Sequence, residues 1–209
     1  TAEWNGSSSG EKLLIWDEQG PGDQIMCSLF FNKPLNNFDE IFILCDPRLQ
    51  GIFSRSFDKN ITFLPNDYDI KKVKYDEHLS MFGLLKYYAK QDQDPKTNEV
   101  TLKFDDNEVK RIKRKLKGEK KICGISWFSK NNQSGKDRSY SLLNFIKSFG
   151  NSMHDYVYVN LQYDSSTEEI SQVSRKLGVT IYNDDGIDLF NDIDGLLNLA
   201  GACDFVISI

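Results

Sequence analysis

The chain has 209 residues, room for one large domain or two modest ones, and its 39% hydrophobic content with 14 Phe is enough for real cores. A net charge of −5 argues against a nucleic-acid backbone as the main partner, no apolar run reaches the length of a membrane span, and no signal peptide is visible. Cys27, Cys45, Cys123 and Cys203 lie far apart with no CxxC pair, and His78 and His154 are the only histidines, so the thiols read as reduced core residues of a cytosolic protein rather than as zinc ligands.

Residues 1–9 are polar and serine-rich apart from Trp4 and read as a lead-in. Residues 10–33 (GEKLLIWDEQGPGDQIMCSLFFNK) are the stretch around which the rest is arranged. An apolar run at 13–16 is followed by an acidic, glycine-rich turn at 17–23 and then by apolar residues at helical spacing, which predicts strand, turn and a helix over 23–33. In open α/β sheets such a turn lies at the carboxyl end of a strand, where ligands bind. Gly20 and Gly22 have access to backbone angles closed to other residues and let a ligand approach the main chain. Asp23 falls at the helix start, either as a plain N-cap or as a functional acid.

Strands are predicted at 38–45 and 60–64, with a short helix over 48–55 between them. Residues 66–78 read as a charged loop, 79–89 as an inward-packing helix, and 90–100 as the best linker candidate. Asp105 or Asp106 caps a helix running through Lys117, whose basic run reads most simply as a solvated face. The opening grammar then repeats. Gly118-Glu119-Lys120 precedes an apolar strand at 122–127, as Gly10-Glu11-Lys12 precedes the first, and a polar loop (128–139) and a helix (140–149) follow. Strands at 156–161, 179–182 and 205–209 alternate with helices at 168–177 and 193–202, the first of these stopped by Gly178.

Alternation of this kind implies parallel sheets covered by helices, arranged as twin Rossmann-like domains, 1–104 and 105–209, with a cleft between them. The second half holds at most four strands where a full domain has about six. It also ends inside an apolar strand, so the C-terminal domain is expected to be incomplete.

Five segments in order carry a family resemblance: residues 10–23, 43–57 (ILCDPRLQGIFSRSF), 124–142 (GISWFSKNNQSGKDRSYSL), 159–170 (VNLQYDSSTEEI) and 191–208 (NDIDGLLNLAGACDFVIS). Together they resemble the glycosyltransferase domain found behind tetratricopeptide repeats in bacterial proteins, which is similar to the lipopolysaccharide heptosyltransferases. The resemblance implies a GT-B fold, with an acceptor-side N-terminal domain, a nucleotide-sugar-side C-terminal domain and catalysis in the cleft. It implies an inverting, metal-independent transferase that uses a nucleotide-sugar donor as substrate and no further cofactor. The acceptor is open: a glycan, a lipid-linked sugar or a protein.

Carried over by position, Gly22-Asp23 matches the Gly-Asp of the family turn and makes Asp23 the general base. Ser126, Ser129, Lys136, Arg138 and Ser139 occupy the stretch that holds the diphosphate, with Arg138-Ser139 before an apolar helix the best phosphate contact. Gln162 and Tyr163 fall at the end of the next strand and face base or sugar, and Glu168 or Glu169 accepts from ribose. A donor loop of His-x-Ala-Gly type, which the family carries further on, has no counterpart here. That departure supports the alternative of a catalytically inactive nucleotide-sugar-binding or scaffold domain beside helical repeats. A nucleotide-sugar epimerase shares the architecture, but neither histidine lies in a suggestive turn.

Overall fold

The structure is a computed structural model that describes residues 1–88, 102–116, 118, 120–129 and 139–209. It divides into two compact units, Thr1–Lys103 and Phe104–Ile209, each with its own parallel sheet. The linker expected at 90–100, and the end of the helix expected at Lys117, lie outside the described residues.

The first unit runs β1 (Ala2–Glu3), β2 (Gly10–Trp16), α1 (Pro21–Cys27), β3 (Phe38–Cys45), α2 (Pro47–Ser56), β4 (Ile61–Pro65), β5 (Glu77–Ser80) and α3 (Met81–Tyr88). The sheet order is β1-β5-β2-β3-β4, with every pair parallel. The central strand β2 is buried along Leu13, Leu14 and Ile15 and pairs Ile15 with Ile43 on one side and Trp16 with Ser80 on the other. The core beside it is aromatic: Phe31, Phe53, Phe57 and Phe63 meet with ring centroids 5.3 to 5.9 Å apart. Edge-to-face and tilted pairs of this kind add to plain area burial.

Three expectations for this unit are corrected. The first helix spans Pro21–Cys27, not 23–33, and passes into a 3₁₀ turn at Ser28–Phe30. Pro21 starts it early, because its ring pre-sets a helical φ where no N–H is needed. The Ser28 hydroxyl donates to the Ile25 carbonyl at 2.7 Å, and Pro34 bars continuation of the helix. The expected loop at 66–78 holds a 3₁₀ turn at Ile70–Lys72, and its last two residues begin strand β5. The lead-in at 1–9 includes β1, which pairs with β5.

The second unit runs α4 (Asp106–Lys115), β6 (Lys121–Ser126), α5 (Leu142–Lys147), β7 (Tyr156–Asn160), α6 (Thr167–Leu177), β8 (Thr180–Tyr182), α7 (Ile193–Ala202) and β9 (Phe205–Ser208). Its sheet order is β8-β7-β6-β9, again all parallel. Helices cover both faces. Ile125, Trp127 and Tyr158 pack with Leu142, Phe145, Ile170 and Val173 on the α5/α6 side. Val159 and Leu161 pack with Val109, Ile112, Leu199 and Ala202 on the α4/α7 side. The alternation of Tyr158 and Val159 between these two cores is the period-two signature of a strand buried on both faces. Side-chain caps start the helices: Asp105 for α4, Ser141 for α5, Ser166 for α6 and Asp192 for α7. Ser141 moves the start of α5 to Leu142 rather than Tyr140.

Candidate functional site

In the first unit the candidate groups gather at the carboxyl ends of β2, β3 and β4. The turn after β2 carries Asp17, Glu18, Gln19 and Gly20 into α1. Asp23 occupies the third position of α1, with Gly20 as N-cap, so it is not the cap itself. Its carboxylate is exposed, and among the described residues nothing hydrogen-bonds or ion-pairs with it. Gly20 has φ −67° and ψ 169°, ordinary extended backbone, and among the described residues the positive-φ glycines are Gly6, Gly150 and Gly178. The expected left-handed role of Gly20 and Gly22 is therefore corrected. A Cβ on either would meet nothing within 4 Å, so what the two glycines provide is open space beside the main chain.

Gln24 is the residue that reading the sequence missed. It is 1% exposed and connects three segments. Its Nε2 donates to the Gln19 carbonyl at 2.8 Å and to Asp17 Oδ2 at 3.3 Å, while its Oε1 accepts the Asp46 N–H at 2.8 Å. The turn is thereby tied to the end of β3. The signal in the sequence is the spacing 24, 27, 28, 31: these positions share one buried face, and Gln24 stands on it among Cys27, Ser28 and Phe31. Asn66, just past β4, also donates to Asp17 Oδ2, at 3.2 Å. Asp46 caps α2 and binds the Arg48 guanidinium through two contacts of 2.9 and 2.7 Å, which hold its carboxyl below the usual range. Beneath this edge, burial pushes the Cys45 thiol up to about 12 and Cys27 up to about 11, with Asp17 and Asp46 adding to the first, and Asp23 and Glu18 to the second.

In the second unit the corresponding edge is organised by Gln162, which is fully buried. Its Oε1 accepts from the Ser126 hydroxyl at 2.9 Å and from the Trp127 and Phe128 N–H groups at 3.0 Å each. Its Nε2 donates to the Tyr163 carbonyl at 3.1 Å. The Gln162 amide and the Ser126 proton are thus spent inside the chain, shaping the strand ends. Ser129 and Ser139 bind one another: the Ser129 N–H donates to Ser139 Oγ at 3.1 Å, and that hydroxyl donates back to the Ser129 carbonyl at 3.3 Å. Lys136 and Arg138 lie outside the described residues.

A cavity of about 180 Å³ opens beyond β7 and β8, with Asn160, Gln162, Tyr163, Asn183 and Phe190 in its lining. The half-buried Tyr163 ring stands 5.8 Å from that of Phe190. Glu168 does not line it; its carboxylate accepts the Gln172 amide at 3.0 Å along the surface of α6, and Glu169 receives the Ser166 cap at its N–H. The structure therefore brings Ser126 and Gln162 together, joins Ser129 to Ser139, sets Tyr163 at a cavity and leaves Glu168 on a helix surface.

No helix among the described residues is long and apolar enough to cross a membrane. No protein-family model matches the chain. The chain is 28% identical over 228 residues to Protein FlbA of Caulobacter vibrioides, an alignment that covers 98% of this chain but only 37% of that protein. Its structure is similar to that of E. coli ADP-heptose lps heptosyltransferase II, with a TM-score of 0.61 over 95% of this chain and 78% of that one, at 12% identity. At that identity the likeness is one of fold: this is an α/β chain of parallel sheets with the GT-B-like fold of a heptosyltransferase.

Proposed function

We propose that the chain carries a glycosyltransferase centre, with residues 1–104 as the acceptor-side domain and 105–209 as the nucleotide-sugar-side domain. The observation that carries this reading is the exposed Asp23 carboxylate, without a described partner, beside glycines that leave the main chain open. The heptosyltransferase-like fold supports it. In the reaction an acceptor hydroxyl oxygen attacks the anomeric carbon of a nucleotide-activated sugar. The new C–O bond forms as the bond to the diphosphate breaks, the configuration inverts, and the hydroxyl proton passes to Asp23. The departing diphosphate gathers negative charge. Cations and hydroxyls stabilise it without a metal, and Ser129, Ser139, Lys136 and Arg138 are the residues proposed for this, the last two on sequence alone. Tyr163 at the cavity beyond β7 is proposed to meet the nucleoside, and Ser126 and Gln162 to hold that edge in shape. Residence in the cytoplasm and attachment to helical repeats belong to the same proposal.

The test is release of nucleoside diphosphate by the full-length protein from uridine-, guanosine- and adenosine-diphosphate sugars, scored with and without candidate acceptors. Asp23→Asn is expected to lower release by about 10²-fold or more while donor affinity holds, as removal of a general base requires. Donor binding with no turnover for any acceptor tried favours the second reading, an inactive nucleotide-sugar-binding or scaffold domain. That reading draws on the internal engagement of Gln162 and Ser126.

A further inference from the structure

We propose that a cavity of about 340 Å³ between the N-terminal halves of α4 and α7 binds a free α-amino acid, a site independent of the glycosyltransferase reading. The observation that points to a ligand is one buried amide. Five polar side chains are buried among the described residues, and Gln24, Ser28, Asn160 and Gln162 each spend their donor on a partner within the chain. Asn198 is the exception. It is 6% exposed, its Oδ1 accepts the Asp105 N–H at 2.8 Å, and its Nδ2 has no partner among the described residues. The bond to Asp105 settles which end of the amide is nitrogen. No fully buried side-chain nitrogen or oxygen among the described residues lacks a partner, so this Nδ2 reaches the cavity that Asn198 lines. A donor held in this way takes its acceptor from outside the chain.

The rest of the lining selects the molecule that brings that acceptor. Asp105 and Asp192 cap α4 and α7 through Oδ1, which takes the Asn107 and Gly195 N–H groups at 2.8 Å each. The Oδ2 of each has no partner among the described residues. A carboxylate only accepts, so these two oxygens call for a donor, and a cationic one binds best. With Glu108 and Asp194 the lining holds four carboxyls beside the Arg111 guanidinium, a balance that disfavours a phosphate or a nucleotide. Arg111 is engaged by Glu108 at 2.7 Å through Nε, and a guanidinium has further N–H groups to give an anion. The ligand must therefore carry an ammonium for the carboxylates and an oxygen for Asn198. A polyamine or a bare divalent cation lacks the oxygen. An α-amino acid carries both groups on one carbon, and Ile112 and Ile187 offer its side chain an apolar wall.

The experiment is isothermal titration calorimetry of the full-length protein with alanine, valine, leucine and methionine, and with spermidine and Mg²⁺ as rivals. At least one amino acid is expected to bind. Its N-acetyl and decarboxylated forms, which each lack one charged end, should bind about tenfold more weakly or worse, as loss of a hydrogen bond to a charged group requires. Asn198→Asp keeps the acceptor for the Asp105 N–H and removes the donor, and Asp192→Asn keeps the cap and removes the charge. Each should weaken binding about tenfold. Asp192 is exposed and Asn caps a helix as well as Asp does, so this variant separates loss of the site from loss of the fold. Failure of all four amino acids to bind, binding of spermidine or Mg²⁺ in their place, undiminished binding of the N-acetyl form, or an affinity that survives both substitutions overturns the proposal.

Discussion

Gln24 and Gln162 solve the same problem in the two units. Each is a buried glutamine whose amide oxygen takes backbone N–H groups at the end of a neighbouring strand, one in the first unit and two in the second. Donors left without a partner in a dry edge are expensive, so each amide fixes the turn it serves. The buried and partly buried thiols give a pH prediction. Burial raises Cys27 and Cys123 to about 11 and Cys45 and Cys203 to about 12. A folded value above the unfolded one means the folded state resists ionisation. The thiol contribution is therefore fully present below the unfolded value of about 8.5 and is lost as pH rises toward the folded values. Urea midpoints are expected to fall between pH 8 and pH 10, and Cys45→Ala should shrink that fall. An unchanged pH dependence in the variant would clear this thiol of any part in it.

At the scale of elements, the clearest local device is the end of α6. Gly178 takes φ 65° and ψ 30° as the C-cap, and its N–H donates to the Ser174 carbonyl. Gly178→Ala puts a Cβ into left-handed backbone and should destabilise the protein by about 1–2 kcal/mol, read as a lower urea midpoint at constant slope. This stop was legible from the residues, as were the strands at Phe38–Cys45, Ile61–Pro65 and Tyr156–Asn160, because each is a short segment rich in apolar and aromatic residues beside Asn, Asp or Pro. The strand Glu77–Ser80 was not legible. Glu77, His78 and Ser80 are polar, and only Leu79 is buried; the backbone is extended there because β2 offers an unpaired edge. The loop positions around Asp23 were visible as chemistry. Gln24 was not, since an amide on an apolar face reads as a flaw in the pattern until its three partners are known.

The whole chain repeats one winding. From β2 in one unit and β6 in the other the path steps outward twice and then crosses to the other side, β4-β3-β2-β5 in one sheet and β8-β7-β6-β9 in the other. Each sheet has its own core, with no strand shared. We therefore expect residues 1–103 and 104–209, made separately, each to unfold cooperatively in urea. Trp127 is buried in the second unit and is the only tryptophan there, so its emission reports on that fragment alone. Red-shifted Trp127 emission from the isolated fragment in buffer would refute its independence. The two glutamine clasps carry a last consequence. An amide neither gains nor loses a proton in water near neutrality, so acidification leaves both fasteners intact. Any response of this protein to mild acid then begins at ionisable groups elsewhere, not at the two strand ends the amides hold.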